Sequence, residues 1–342
     1  MRIIICAGGT GGHIYPGIAI AEEIRSRDPN GQIAFIGSRE GLEGELIKRE
    51  GFEIKLISAR GLLRKLSYKA ISAPFVSLLG FFQSLSILNT FKPQIVVVTG
   101  GYVSFPVIAA AKVLNLPILF HEQNVLPGFT ARFWSRFVKI LTISFPETQK
   151  YLNGTVTGNP VRQRILKIHR RSAERPTVLV LGGSQGARSL NRAVLSQITE
   201  FKDLRVIHVI GERDYKILNP PAYPFYQSLP YMYNIEEGLA VADLVVSRAG
   251  ATAISEILAV GLPSILIPFP YSAEGHQDLN AQVLKTAGAA IILPDSELDK
   301  LAVTINSLLK DKARLENMGA AARKLARRDA ASKIVDLIYA IS

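Results

Sequence analysis

The stretch ICAGGTGGHIYPGIAIAEEI (residues 5–24) decides the fold. It continues the apolar run that begins at Ile3, sets five glycines and Thr10 around His13, and passes into apolar residues at helical spacing. Glycines behind a strand let the backbone turn tightly and approach a ligand, and the free N–H groups of the next helix offer partial positive charge to a phosphate. The same rhythm recurs. RIIICA precedes a helix from Tyr15 to Arg27, QIAFIG one near Leu42 to Glu50, IVVVTG one from Pro106 to Leu114, and PILFHEQ lies beyond. That alternation is the signature of a parallel sheet covered by helices. It restarts after TVTGNPVR (residues 155–162), whose Gly-Asn-Pro turns the chain, with PTVLVLGGSQGARSLNRAV, RVIHVIG, LVVSRAGATAISEIL, PSILIPFP and AAIILP. The expectation is an α/β chain of two Rossmann-like domains facing one another, with the boundary near Thr157 to Arg162 and similar openings at Gly8–Gly12 and Gly182–Gly186.

With 342 residues, 48% of them hydrophobic, the chain has material for two domain cores. The lone Cys6 lies inside the first apolar run, which excludes a disulfide framework and a cysteine-ligated metal and favours a cytosolic protein. The first apolar run is also too short for a signal peptide. The net charge of +12 is concentrated: from Ile54 to Pro146 ten Lys or Arg face a single carboxylate, Glu122. Such a field draws an anionic surface or ligand, leaving nucleic acid, acidic lipid and a phosphorylated substrate as candidates.

AISAPFVSLLGFFQSLSILNTF (residues 70–91) carries no charge, yet Pro74, Gly80, Gln83, Asn89 and four serines make it a poor membrane span. Phe75, Leu78, Leu79 and Phe82 recur at helical spacing. Taken alone, the segment reads as the buried face of a sheet-covering helix. The competing reading is an interfacial helix, since Arg60, Arg64, Lys65 and Lys69 precede it and can meet anionic headgroups.

Neither glycine turn ends in the Gly-Lys-Ser/Thr of a Walker loop, and the second strand ends in Gly37 and Ser38 where a dinucleotide site wants an acid. Asp-x-Asp occurs nowhere, which argues against a carboxylate-held metal and leaves no metal or cofactor to assign.

GGTGGHIYP, TGGYVSFP, HEQNVLPG, TGNPVR, LGGSQGAR, SRAGATAISEILAVGLPSILIPFP and HQDLNAQVLKTAGAA stand in one order and spacing. From Met1 to about Ala290 the chain thereby resembles the bacterial MurG-type transferases, which move N-acetylglucosamine (GlcNAc) from UDP-GlcNAc to undecaprenyl-pyrophosphoryl-MurNAc-pentapeptide in peptidoglycan synthesis. Phe105 stands where many members have Gly, and Ala131 where Asn is common. The resemblance implies the GT-B glycosyltransferase fold. It implies an acceptor-binding, membrane-associating domain over residues 1–158 and a UDP-GlcNAc domain over 159–330, with a C-terminal helix at about 331–342 packing back on the first.

The resemblance also implies site roles. Glu256 would accept both ribose hydroxyls, its plain alternative being a first-turn acid favoured by the helix dipole. Ser184 and the amides of Gly183 to Gly186 would hold the diphosphate, with Arg162 supplying the charge that a metal supplies elsewhere. Gln277 and Asn124 would contact the donor sugar, Asn280 offers a further amide, and Thr10, Gly11 and Gly12 would approach the donor. Met232 and the run Ala251, Thr252, Ala253, Ile254, Ser255 and Glu256 would line the uridine site. Anomeric inversion needs a base for the acceptor 4-hydroxyl. His13 is assigned that role, with Glu122 as alternative base or as the partner that orients His13. Phe75, Leu79 and Phe82 would contact an anionic membrane, helped by FTARFWSRFVK (residues 129–139), at the cytoplasmic face as a peripheral protein within a cell-wall synthesis complex. The competing readings are another UDP-sugar enzyme, which as a 2-epimerase would need more acids around the sugar, and a nucleic-acid-binding protein, which would need base-stacking aromatics on a basic sheet face.

Overall fold

The computed structural model describes residues 1–61, 68–171, 173–183 and 186–341, with the side chains of 68–74 and 273 left outside that description. The chain forms two compact units, Met1–Gln163 with Arg328–Ser342, and Arg164–Arg327. The first holds a seven-stranded sheet of β1 (Arg2–Cys6), β2 (Gln32–Ser38), β3 (Glu53–Ile57), β4 (Ile95–Val98), β5 (Ile118–Glu122), β6 (Ile140–Ile143) and β7 (Thr155–Val156) in the order 3-2-1-4-5-6-7. The second holds β8 (Thr177–Leu181), β9 (Arg205–Val209), β10 (Tyr226–Leu229), β11 (Leu244–Ser247), β12 (Ser264–Leu266) and β13 (Ala290–Ile292) in the order 10-9-8-11-12-13. Every strand pair in both sheets is parallel. Strands buried on both faces need continuous apolar runs, and Ile3, Ile4, Ile5, Val96, Val97 and Val98 are all fully buried. Burial also pushes the Cys6 thiol up to about 12, so it packs as an apolar side chain.

Strand order reverses between β1 and β4 and between β8 and β11. At such switch points the two flanking loops leave on opposite faces of the sheet and open a crevice at the carboxyl edge. Helix α1 (Gly11–Arg27) enters directly behind β1, held close by Gly17: a Cβ there would lie 3.1 Å from the Ala7 Cβ and 3.3 Å from Ile5.

The first unit runs through Gln163 instead of ending at 158. The Gln163 N–H donates to Glu22 (2.8 Å) and its amide to Glu23 (3.2 Å), both on α1, while the Arg162 guanidinium stacks on the Tyr15 ring at 3.9 Å. The helix Ala330–Tyr339 also joins this unit, burying Ile334 and Ile338, with Arg27 of α1 bonding Asp336 and the Ser332 hydroxyl.

The residue 70–91 segment lies in helix α3 (Tyr68–Phe91), after the short helix α2 (Glu43–Arg49). Its large apolar residues point out: Phe75 is 74% exposed and Phe82 57%, and Leu78 and Leu79 are also exposed. The buried-face reading is therefore wrong for these four. The inward row is Gly80, Ser84 and Leu88; a Cβ on Gly80 would fall 2.1 Å from the Ser58 carbonyl, so small residues let α3 lie close to the sheet. Arg64 and Lys65 lie outside the described residues.

Ile338→Ala should cost roughly 2–5 kcal/mol and speed amide hydrogen exchange in α1, although the two are far apart in sequence. Faster exchange confined to residues 164–327 would contradict this assignment of the C-terminal helix.

Candidate active site

The glycine turn behind β1 is shaped by steric need. Gly9 has φ +94°, and Thr10 caps α1 in an extended conformation with its carbonyl accepting from the N–H groups of His13 (3.0 Å) and Ile14 (3.2 Å). Gly11 is buried and Gly12 exposed. His13 thus stands in the first turn of α1, partly exposed, at the β1/β4 switch point.

Two acceptors hold its ring. Nδ1 lies 2.8 Å from the Thr99 carbonyl, just past β4, and 2.9 Å from Gln123 Oε1, just past β5. The Thr99 hydroxyl donates to the His13 carbonyl at 2.7 Å, pinning the backbone as well. Gly100, with φ +97°, makes room, because a Cβ there would come within 2.8 Å of Nδ1. Among the described residues none hydrogen-bonds Nε2.

Glu122 serves a different purpose. It is buried; one carboxylate oxygen accepts from the Asn124 backbone N–H (2.9 Å) and side-chain amide (3.1 Å), the other from the Gly128 N–H (3.1 Å). It thereby shapes the loop leading into the helix Phe129–Trp134 and turns Asn124 toward itself. The partner that orients His13 is the neighbouring Gln123, not Glu122. The adjacent His121 is fully buried and lowered to about 4 by desolvation, which keeps it neutral.

The buried Glu43 is a further organiser that sequence reasoning passed over. One of its oxygens accepts from the N–H groups of Gly9 (3.3 Å) and Ser38 (2.8 Å), tying the glycine turn to the end of β2. Arg162, assigned from sequence to the second domain as a phosphate clamp, belongs to the first unit and is 1% exposed beneath its stack on Tyr15.

In the second unit the turn behind β8 is equally constrained. A Cβ on Gly182 would lie 2.8 Å from the Ala187 N, and one on Gly186 (φ +79°) 2.6 Å from the Ile210 carbonyl. Gly183 and Gly250 differ, each having open space where a Cβ would point. They flank the β8/β11 switch point, one before the helix Arg188–Ser196 and one as the cap of the helix Ala251–Val260. Open space over backbone N–H groups at a helix start suits an anion. Ser184 lies outside the described residues.

Ala251, Thr252, Ile254 and Glu256 are buried, Ala253 and Ser255 partly so, and the Ser255 hydroxyl donates back to the Ala251 carbonyl at 2.8 Å. Glu256 sits in the second turn, so the reading of it as a first-turn acid fails. Gln277 accepts from the Phe269 N–H (2.9 Å) and keeps its N–H donors for other partners. Asn280 is fully buried with its amide on the Ala249 carbonyl (3.2 Å), which makes it a brace for this loop. Met232 is partly buried and packs on Gly238. Arg248, invisible as a site residue in the sequence, binds the Ser189 hydroxyl (2.7 Å), Asp295 (2.6 Å) and the carbonyls of Ile267 and Pro268 (both 3.3 Å), joining the carboxyl ends of β11, β12 and β13. No cluster of three or more His, Cys, Asp or Glu able to hold a metal occurs among the described residues.

The glycosyltransferase family 28 N-terminal domain matches residues 3–143, and the glycosyltransferase family 28 C-terminal domain residues 177–334. The UDP-N-acetylglucosamine–N-acetylmuramyl-(pentapeptide) pyrophosphoryl-undecaprenol N-acetylglucosamine transferase of Desulforamulus reducens is 39% identical, covering 100% of this chain and 99% of that protein. Its counterpart in Thermoanaerobacter sp. strain X514 is 40% identical over 100% of both. The crystal structure of MurG from Acinetobacter baumannii superposes with a TM-score of 0.76 at 29% identity, covering 99% of each chain. With full-length kinship and a Rossmann-like sheet in each half, the chain belongs to the MurG-type transferases of glycosyltransferase family 28.

Proposed function

We propose that this chain transfers GlcNAc from UDP-GlcNAc to the 4-hydroxyl of MurNAc in undecaprenyl-pyrophosphoryl-MurNAc-pentapeptide, with inversion at the anomeric carbon. The observation that carries the chemistry is His13: a partly exposed imidazole at a switch point, Nδ1 occupied by two acceptors and Nε2 unbonded among the described residues. The acceptor hydroxyl gives its proton to Nε2 as its oxygen attacks C1 and UDP departs. Glu122 serves the site by shaping the 124–128 loop, its carboxylate accepting from Asn124 and the Gly128 N–H.

The second unit holds the nucleotide. Backbone N–H groups around Gly183 and at the start of the helix Ala251–Val260 receive the diphosphate. Glu256 takes the ribose hydroxyls, the Gln277 amide a sugar hydroxyl, and Met232 borders the uracil. His13→Ala should leave UDP affinity intact and lower turnover by roughly 10²–10⁴. Glu256→Ala should do the opposite, weakening donor binding by roughly 1.5–3 kcal/mol. Titration calorimetry with UDP beside a transfer assay separates the two; unchanged UDP affinity in Glu256→Ala, or full turnover in His13→Ala, would refute the respective role.

The acceptor's polyprenyl chain requires a membrane surface, and the protein docks there peripherally, on the cytoplasmic side. No described helix is long and apolar enough to cross a membrane. The exposed row Phe75, Leu78, Leu79 and Phe82 of α3 is one anchor. A second is the exposed Phe129, Phe133 and Phe137, interleaved with exposed Arg132, Arg136 and Lys139, where Phe133 and Trp134 stack on Phe105 at 5.6 and 5.2 Å. Aromatics sink to the headgroup level while the cations meet anionic lipid. Phe75→Asp with Phe82→Asp should release the protein from anionic vesicles yet preserve transfer to a short-chain soluble acceptor. Retained vesicle binding by the double variant would refute docking through α3.

A further inference from the structure

We infer that Gln123 is a positioning residue that locks His13 as the Nδ1–H tautomer and thereby makes Nε2 the basic atom; this rests on the reading of His13 as the base. Gln123 is 2% exposed, and its own orientation is determined: Nε2 donates to the carbonyls of Thr99 (2.7 Å) and His121 (3.0 Å). Turning the amide over would set its oxygen against two carbonyl oxygens and leave both without a donor. With the amide so fixed, Oε1 is the atom that faces His13, at 2.9 Å.

That oxygen can only accept, and so can the Thr99 carbonyl 2.8 Å from the same nitrogen. The hydrogen of the neutral ring therefore sits on Nδ1, shared between two acceptors. The other tautomer would aim the Nδ1 lone pair at two oxygens and forfeit both bonds. Thr99 serves both members of the pair: its carbonyl accepts from His13 and Gln123, while its hydroxyl holds the His13 carbonyl at 2.7 Å. The device matches the logic by which a carboxylate orients the histidine of a hydrolase triad, with a neutral amide in the carboxylate's place. An amide sets the tautomer without placing a negative charge beside a ring that works among anionic substrates.

The test is the ring's own nitrogen spectrum. The full chain is labelled with ¹⁵N-histidine, and among its five histidines His13 is assigned by the signals lost in His13→Gln. At a pH where the ring is neutral, His13 should show a protonated, pyrrole-type Nδ1 and an unprotonated, pyridine-type Nε2. Gln123→Leu, which leaves the Thr99 carbonyl as the one acceptor at Nδ1, should raise the share of the Nε2–H tautomer and lower kcat severalfold, with KM for UDP-GlcNAc and UDP affinity little changed. A wild-type ring protonated on Nε2 would overturn the proposal without any variant, and so would Gln123→Leu with unchanged tautomer and kcat. Full turnover in His13→Ala would instead remove the base assignment and leave the tautomer measurement standing.

Discussion

Parallel pairing in both sheets is the constraint on which the rest depends. Every strand of a sheet delivers its carboxyl end to the same edge, so the loops after β1, β4 and β5 meet in one unit and those after β8, β11 and β12 in the other. Where strand order reverses, the loops part and leave room for a ligand. The glycines at these points differ in purpose. Gly100, Gly182 and Gly186 are demanded by neighbouring protein atoms, whereas Gly183 and Gly250 border open space.

Three buried or half-buried histidines each face a side-chain amide, and their surroundings separate chemistry from structure. His208 lies 3.0 Å from Asn191 and 2.9 Å from the Tyr226 hydroxyl, with its pKa lowered to about 3 by burial. His121 lies 3.2 Å from Asn159 and 3.0 Å from the Thr142 hydroxyl. Both rings have partners on both nitrogens and stay neutral struts. His13 alone of the three is partly exposed and has bonds at one nitrogen only. The same pairing thus braces a core in two places and, in the third, leaves one ring nitrogen unbonded among the described residues.

Nine strands, the glycine turns and the restart of the rhythm near residue 160 were legible in the sequence because apolar period and turn chemistry are local properties, whereas β3, β6, β7 and β10 were not read. The outward face of α3 was not: a rule that large apolar residues turn inward fails where a helix approaches a sheet through Gly80 and Ser84. The burial of Arg162 was equally hidden, since Tyr15, far away in sequence, provides the ring it stacks on. Gln123 and Glu43 left no local signal at all. Their roles come from carbonyl and N–H groups on other strands, which only the sheet order brings within reach.

On the proposed reading a base on Nε2 of His13 acts in one displacement with no covalent sugar intermediate, and that dictates the stereochemistry. The direct measurement is the anomeric configuration of the GlcNAc–MurNAc linkage in the lipid-linked product formed from α-linked UDP-GlcNAc, read from its proton coupling in nuclear magnetic resonance. A β-linked GlcNAc is the outcome this account predicts; an α-linked product would contradict it.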